Sequence, residues 1–238
     1  MKNKGPTSQR YLAVGTALLL ALEIAMADAG EAIARFTDVA AVEGIKFVHV
    51  KGATEAKLLP ETYGSGVAFA DLDGDGDLDM YFVNSGSLIH GRGTAVNRVF
   101  RNDVGADVRF KDLSVAAGAS GVGYGMGALA GDYDGDGDLD LVLADWGPGS
   151  PMRNEGARQR LWRNDGGKFT DVTDEAIPDV KVRFCWELEF VDVDNDFDLD
   201  LLVSSKKSSG SFLFHNDGNG KFIDVSAERL PQFTNNYE

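Results

Sequence analysis

The sequence predicts an all-β fold: a partial, about three-bladed β-propeller with an acidic β-hairpin loop in every blade. Three observations predict it. An aspartate ladder occurs three times, as Asp71-Leu-Asp-Gly-Asp-Gly-Asp-Leu-Asp79, Asp132-Tyr-Asp-Gly-Asp-Gly-Asp-Leu-Asp140 and Asp192-Val-Asp-Asn-Asp-Phe-Asp-Leu-Asp200, with starts 61 and 60 residues apart. Each ladder lies between two short apolar runs. Each is followed by two more strand-like runs joined by turn-forming residues.

At the N-terminus, Lys2, Lys4 and Arg10 precede the apolar run 11–22, and small residues follow at Ala25, Ala27 and Ala29. This is the pattern of an export signal cleaved after Ala27. Glu23 interrupts the run below the ~20 residues that a membrane span needs, and no lipoprotein cysteine follows. The mature chain is expected to be exported (periplasmic, secreted or at the cell surface) without stable membrane insertion.

Four strand-like segments then recur per period. The first are 66–70, 127–130 and 188–191, apolar and, in the first two copies, glycine-flanked. The second, 78–83, 139–144 and 199–203, continue directly out of the ladders. The third end in Arg101-Asn-Asp103, Arg163-Asn-Asp165 and His215-Asn-Asp217. The fourth are 109–113, 168–172 and 221–225. Asn-Asp-Gly at 164–166 and 216–218 predicts tight hairpins. The chain thus divides into a signal peptide (1–27), an N-terminal strand and lead-in (28–63), blades at 64–114, 115–174 and 175–227, and a polar tail (228–238).

Five carboxylates in nine residues repel one another unless a hard cation with oxygen ligands sits among them, and Ca²⁺ is the natural choice. About three ions are expected. Side chains at loop positions 1, 3, 5 and 9 are the candidate ligands, with the backbone carbonyl of position 7. These are Asp71, Asp73, Asp75 and Asp79 with Asp77; Asp132, Asp134, Asp136 and Asp140 with Asp138; and Asp192, Asp194, Asp196 and Asp200 with Asp198. An EF-hand would need a bidentate Glu at position 12. Phe82, Leu143 and Val203 stand there instead. Position 6 is Gly76 or Gly137 in two loops but Phe197 in the third, so that loop is expected to bind most weakly.

The repeat resembles the FG-GAP/VCBS family, whose calcium-loop blades also occur in integrin-type propellers. Phe36-Thr-Asp-Val-Ala40, Gly44-Ile-Lys-Phe-Val-His49, Leu59-Pro-Glu-Thr-Tyr-Gly-Ser-Gly-Val67 and Gly123-Tyr-Gly-Met-Gly127 resemble the N-terminal part of cartilage-acidic-protein-like (ASPIC/UnbV-type) exported proteins. The resemblance implies closed seven-bladed propellers, whereas this chain has three repeats. It is expected to be a truncated member, an open segment or a piece completed by another chain, with bare apolar faces on its end blades. Arg35–Val39 matches the fourth-strand pattern and would complete the missing last blade of a ring.

Formal net charge is −15, and fifteen of the 38 acidic residues lie in the ladders. The basic residues are scattered, which excludes nucleic acid as a partner class. The lone Cys185 reads as a small buried hydrophobe. His49, His90 and His215 are isolated, and no nucleophile motif appears, so no enzyme is expected. The expected function is an exported calcium-binding scaffold for structure or adhesion-like interaction. The alternative is the N-terminal part of a calcium-dependent extracellular enzyme whose catalytic portion is missing. A meander alternates its loops between two faces. A protein or glycan ligand is expected on the face opposite the calcium loops, which holds His90, Arg92, Trp146, Arg153 and Arg158.

Overall fold

The computed structural model describes residues 34–88, 95–121, 123–149, 154–205 and 210–231. The expected export signal, His90, Arg92, Arg153 and most of the tail lie outside the described residues. Two compact units divide at Asp38. The described part of the first, 34–38, has no regular secondary structure, and its Phe36 is fully exposed.

The second unit contains three four-stranded antiparallel sheets, each a simple meander. The first is β1 (Val67–Ala70), β2 (Asp79–Phe82), β3 (Arg98–Asn102) and β4 (Phe110–Asp112). The second is β5 (Gly125–Gly131), β6 (Asp140–Asp145), β7 (Arg160–Asn164) and β8 (Phe169–Asp171). The third is β9 (Cys185–Val191), β10 (Asp200–Ser205), β11 (Phe212–Asn216) and β12 (Phe222–Asp224). The ladders form the first hairpin loop of each sheet. Ala70 pairs with Asp79, Gly131 with Asp140 and Val191 with Asp200, so position 9 of each ladder opens the second strand. No closed ring forms among the described residues.

The sheets stack through two apolar layers. Period-two alternation splits β6 between them, because its two faces meet different neighbours. Leu141 and Leu143, with Trp162 and Phe169, face Ala68, Ala70, Tyr81, Val83 and Val99 of the first sheet. Val142, Ala144 and Leu161 face Leu188, Leu201, Val203, Phe214 and Phe222 of the third. The first strands pack side by side, β1 on β5 and β5 on β9. Small residues allow this approach: a methyl on Gly131 would stand 2.6 Å from the Phe190 ring. Cys185 is buried, and burial pushes its thiol up to about 12.

The expectation for Trp146 needs correction. Trp146 is 1% exposed, packed with Leu88 and Tyr124 beneath Leu58, Phe184 and Trp186. It therefore offers nothing to a ligand. Residues 51–63 help to close this cluster. Their 3₁₀ turn, Leu59–Thr62, is held by the buried Glu61, which accepts from Thr54 Oγ1 (2.7 Å) and the Leu58 N–H (3.0 Å). The Asn-Asp-Gly turns are tight. Asp165 donates its N–H to the Lys168 carbonyl (2.9 Å), leaving Gly166 and Gly167, both at positive φ, as the loop. Asp217 donates to the Lys221 carbonyl (2.8 Å) around the three residues 218–220. One-turn helices α1 (Thr173–Ala176) and α2 (Ser226–Arg229) follow the second and third sheets. Asp171 and Asp224 start them by accepting the N–H of Thr173 and Ser226.

The outer face of the first sheet is not bare. Phe47 stacks on Phe82 (centroids 4.6 Å apart), which meets Phe100 edge-on. Phe110 donates its N–H to the Glu43 carbonyl at 2.8 Å, just as Phe169 donates to Ala117 at 2.7 Å. The lead-in thus does for the first sheet what the first blade junction does for the second. Val67 and Phe69 remain exposed beside it.

Candidate metal centres

Each loop is shaped by its own carboxylates. The position-1 aspartates fold the loop inward by accepting backbone N–H groups three and five residues on. Asp71 takes Gly74 (2.9 Å) and Gly76 (2.9 Å), Asp132 takes Gly135 (2.8 Å) and Gly137 (3.1 Å), and Asp192 takes Asn195 (2.7 Å) and Phe197 (3.2 Å). Positions 4 and 6 have positive φ in all three loops. Glycine adopts this freely, but the third loop uses Asn195 (φ 62°) and Phe197 (φ 75°). The Phe197 ring is 93% exposed and gains no packing in return.

The arrangement brings ligand-type oxygens together. One oxygen each from Asp71, Asp73 and Asp79 lie within 4.8 Å of one another, as do those of Asp132, Asp134 and Asp136, and of Asp192, Asp194 and Asp196. Asp75, Asp136 and Asp196 each also accept the N–H two residues on, at 2.9, 2.9 and 3.0 Å. The side chains of Asp77 and Asp138 turn away to accept the N–H groups of Val104 (3.1 Å) and Gly166 (2.8 Å), leaving position 7 with its carbonyl. Asp198 Oδ2 likewise lies close to the Gly218 turn.

Position 9 has a second occupation that the spacing does not reveal. Asp79, Asp140 and Asp200 are at most 1% exposed. Each accepts one N–H per oxygen: Asp79 from Leu72 (2.9 Å) and Asn102 (2.8 Å), Asp140 from Tyr133 (3.1 Å) and Asn164 (2.8 Å), Asp200 from Val193 (3.0 Å) and Asn216 (2.7 Å). Each oxygen retains lone-pair capacity beyond that bond, except Asp200 Oδ1, which also meets His215 Nδ1 at 2.9 Å.

Electrostatics oppose this crowding. Burial raises the carboxyls of Asp73, Asp79 and Asp134, and neighbouring aspartates add to the shift. Asp140 is pushed up to about 7, chiefly by burial and further by Asp134 and Asp136, against the pull of its two N–H donors. Asp73 Oδ1 and Asp134 Oδ1 are buried with no hydrogen-bond partner. Orphaned anionic oxygens of this kind are costly unless something cationic meets them.

His215 is a site residue that the sequence reading missed. Its Nδ1 lies 2.9 Å from Asp200 Oδ1 and 3.5 Å from Asp194 Oδ2. The signal was in the repeat: His215 stands where Arg101 and Arg163 precede the Asn-Asp pair. Arg101 lies 3.8 Å from Asp73, the position-3 carboxylate of its loop. In the third loop Arg229 also reaches Asp194 at 3.0 Å and holds that carboxyl below its usual range.

On the opposite face, a cleft of about 690 Å³ lies beside the second sheet, lined in part by Leu88, Tyr124, Asp145, Arg158, Arg160 and Lys181. Arg158 is committed to Asp174 (2.6 Å) and the Thr173 carbonyl (2.9 Å), and Arg160 to Asp171 (3.1 Å).

The FG-GAP-like repeat family matches residues 71–143, a span that runs from the first ladder through the second. The chain is also similar to cartilage acidic protein 1 of Mus musculus, 24% identical over 185 residues. That match covers 68% of this chain and 26% of the mouse protein, so the chain spans about a quarter of that relative's length. Among the described residues, no helix is long and apolar enough to cross a membrane.

Proposed function

We propose that this chain is an exported calcium-binding repeat scaffold whose stacked sheets present an interaction surface. One observation carries the cation reading. Three equivalent hairpin tips converge carboxylate oxygens to within 4.8 Å, and two of them bury an oxygen that no donor meets. A hard divalent cation supplies the missing positive charge. Asp71, Asp73, Asp75 and Asp79 would hold the first ion, Asp132, Asp134, Asp136 and Asp140 the second, and Asp192, Asp194, Asp196 and Asp200 the third, with carbonyls from Asp77, Asp138 and Asp198. The chemistry supplied is structural: charge neutralisation that fixes each tip against the sheet. Likeness to an FG-GAP-like repeat and to cartilage acidic protein 1 supports an extracellular interaction role.

The interaction surface belongs on the face away from the tips, where the cleft beside the second sheet offers polar and charged groups to a protein or glycan. Calorimetric titration of the mature chain with Ca²⁺ tests the cation reading. Three sites are expected, the third weakest; no heat and no uptake would end it.

A further inference from the structure

The three acidic tips are joined by one buried hydrogen-bond path. Asp79 Oδ2 accepts the N–H of Leu72 (2.9 Å), and the Leu72 carbonyl accepts from Asn164 Nδ2 (2.8 Å). The Asn164 N–H donates to Asp140 Oδ1 (2.8 Å), whose Oδ2 accepts the N–H of Tyr133 (3.1 Å). The Tyr133 carbonyl accepts from Asn216 Nδ2 (2.7 Å), and the Asn216 N–H donates to Asp200 Oδ1 (2.7 Å). Asp79, Asn164, Asp140, Asn216 and Asp200 are each at most 1% exposed. Water cannot replace a bond broken along this path.

Two features make asparagine suited to the crossing. Its second Nδ2 proton serves its own loop, at Leu139 (3.0 Å) or Leu199 (3.2 Å), while Oδ1 accepts from Gly167 (2.8 Å) or Gly218 (3.2 Å). The turn that follows presses on the preceding tip. A methyl on Gly167 would stand 3.1 Å from Asp73 Cβ, and one on Gly220 would stand 3.5 Å from Asp134 Cβ. Leu72 and Tyr133 are position 2 of their loops, between candidate ligands at positions 1 and 3. Whatever fixes their carbonyls fixes the ligands on either side.

We infer that Asn164 and Asn216 are positioning residues that couple neighbouring cation loops, so that an ion in one tip tightens binding in the tip of the adjacent sheet. This rests on the cation reading above and adds to it a regulation between sites. Coupling through packed, hydrogen-bonded elements of this kind amounts to about fivefold or more in affinity.

The test uses Ca²⁺ calorimetry on the full chain. Asp136→Asn and Asp196→Asn cripple the second and third sites at position 5, off the path. First-site affinity is compared between Asp196→Asn and the Asp136→Asn/Asp196→Asn double variant. The double variant should bind at least about fivefold more weakly at the first site. Asn164→Asp, which sets an oxygen against the Leu72 and Leu139 carbonyls, should erase that dependence. A purely structural residue would lower both affinities and leave their ratio unchanged. First-site affinities within twofold of each other overturn the coupling, and this comparison decides even if Asn164→Asp fails to fold. Wild-type protein that takes up no Ca²⁺ sinks the cation reading and the coupling together, whereas uptake at mutually indifferent sites sinks the coupling alone.

Discussion

Asp140 Oδ1 accepts the backbone N–H of Asn164 at 2.8 Å, tying the head of β6 to the tail of β7. Its other oxygen holds Tyr133, so this carboxyl organises the sheet whether or not a cation is near. Asp140→Asn would set an amide N–H₂ against one of those two donors. At pH 5 in chelator, where Asp140 keeps its proton, urea denaturation should show a loss of about 1–3 kcal/mol. Asp136→Asn, at the exposed position 5, should stay within about 0.5 kcal/mol. Equal effects would mean that Asp140 has no structural share.

The pH dependence of the metal-free chain should run opposite to that of a salt-bridged carboxylate. Asp140, at about 7 when folded, lies above its unfolded value of about 3.9. The folded state therefore binds more protons between those values. Stability from this group is full below pH ~4 and is lost as pH rises towards 7, on the order of 4 kcal/mol at most. Asp73, Asp79 and Asp134 shift the same way. Asp194, held low by Arg229, works in the other direction, losing its contribution as pH falls through its depressed value. Melting temperatures in chelator should fall from pH 5 to pH 8, and excess Ca²⁺ should remove most of that fall.

Chelation at neutral pH should lower the melting temperature. A ligand at a hundredfold excess over its dissociation constant adds about 2.7 kcal/mol per independent site. Extracellular calcium modules bind at about 10⁻⁴–10⁻³ M, so a hundredfold excess means roughly 10–100 mM Ca²⁺. Scanning calorimetry with and without chelator reads it directly, and superimposed melts from metal-loaded protein would contradict the assignment.

Phe197→Gly should be tolerated or beneficial despite the loss of a large apolar side chain. The left-handed backbone costs a non-glycine residue roughly 1–2 kcal/mol, against about 0.5–1 kcal/mol of added unfolded-state entropy for glycine. The exposed ring has no packing to lose. Third-site affinity for Ca²⁺ should rise by about two- to fivefold, the same strain energy expressed as binding. A weakened third site would show that the ring contributes to binding.

Leu161→Ala should cost about 2–5 kcal/mol in urea denaturation, because its side chain is fully buried between the second and third sheets. Ile223→Ala, half exposed on the third sheet, should cost far less. Comparable losses would mean that the sheets do not stack through Leu161.

The strands and the position of each acidic tip were legible because period and composition act locally. Alternating apolar residues and an Asp-rich, Gly-punctuated loop leave few options for β6 or for Gly135 and Gly137. The strain at Phe197 was legible for the same reason. The Asn164–Leu72 bond was not, since its partners lie 92 residues apart and the Asn-Asp-Gly string reads first as a turn. His215 looked isolated because its partners arrive from two other segments of the third sheet. Trp146 looked like surface because a loop between strands is usually exposed. Leu88, Tyr124, Phe184 and Trp186, whose ring centroid lies 5.0 Å from that of Trp146, bury it together with Leu58 from the segment 51–63.

The contact of Glu43 with Phe110, repeated by Ala117 with Phe169, puts the sheet boundary out of step with the seam that seals it. The rim of each of these two sheets is closed by backbone that comes before that sheet in the chain. Swapping or duplicating modules, in evolution or in the laboratory, therefore preserves both neighbours only if the splice falls upstream of residues 39–44 or 113–118. A cut at the first residue of a sheet would leave an unsealed rim and carry its closure away with the wrong module.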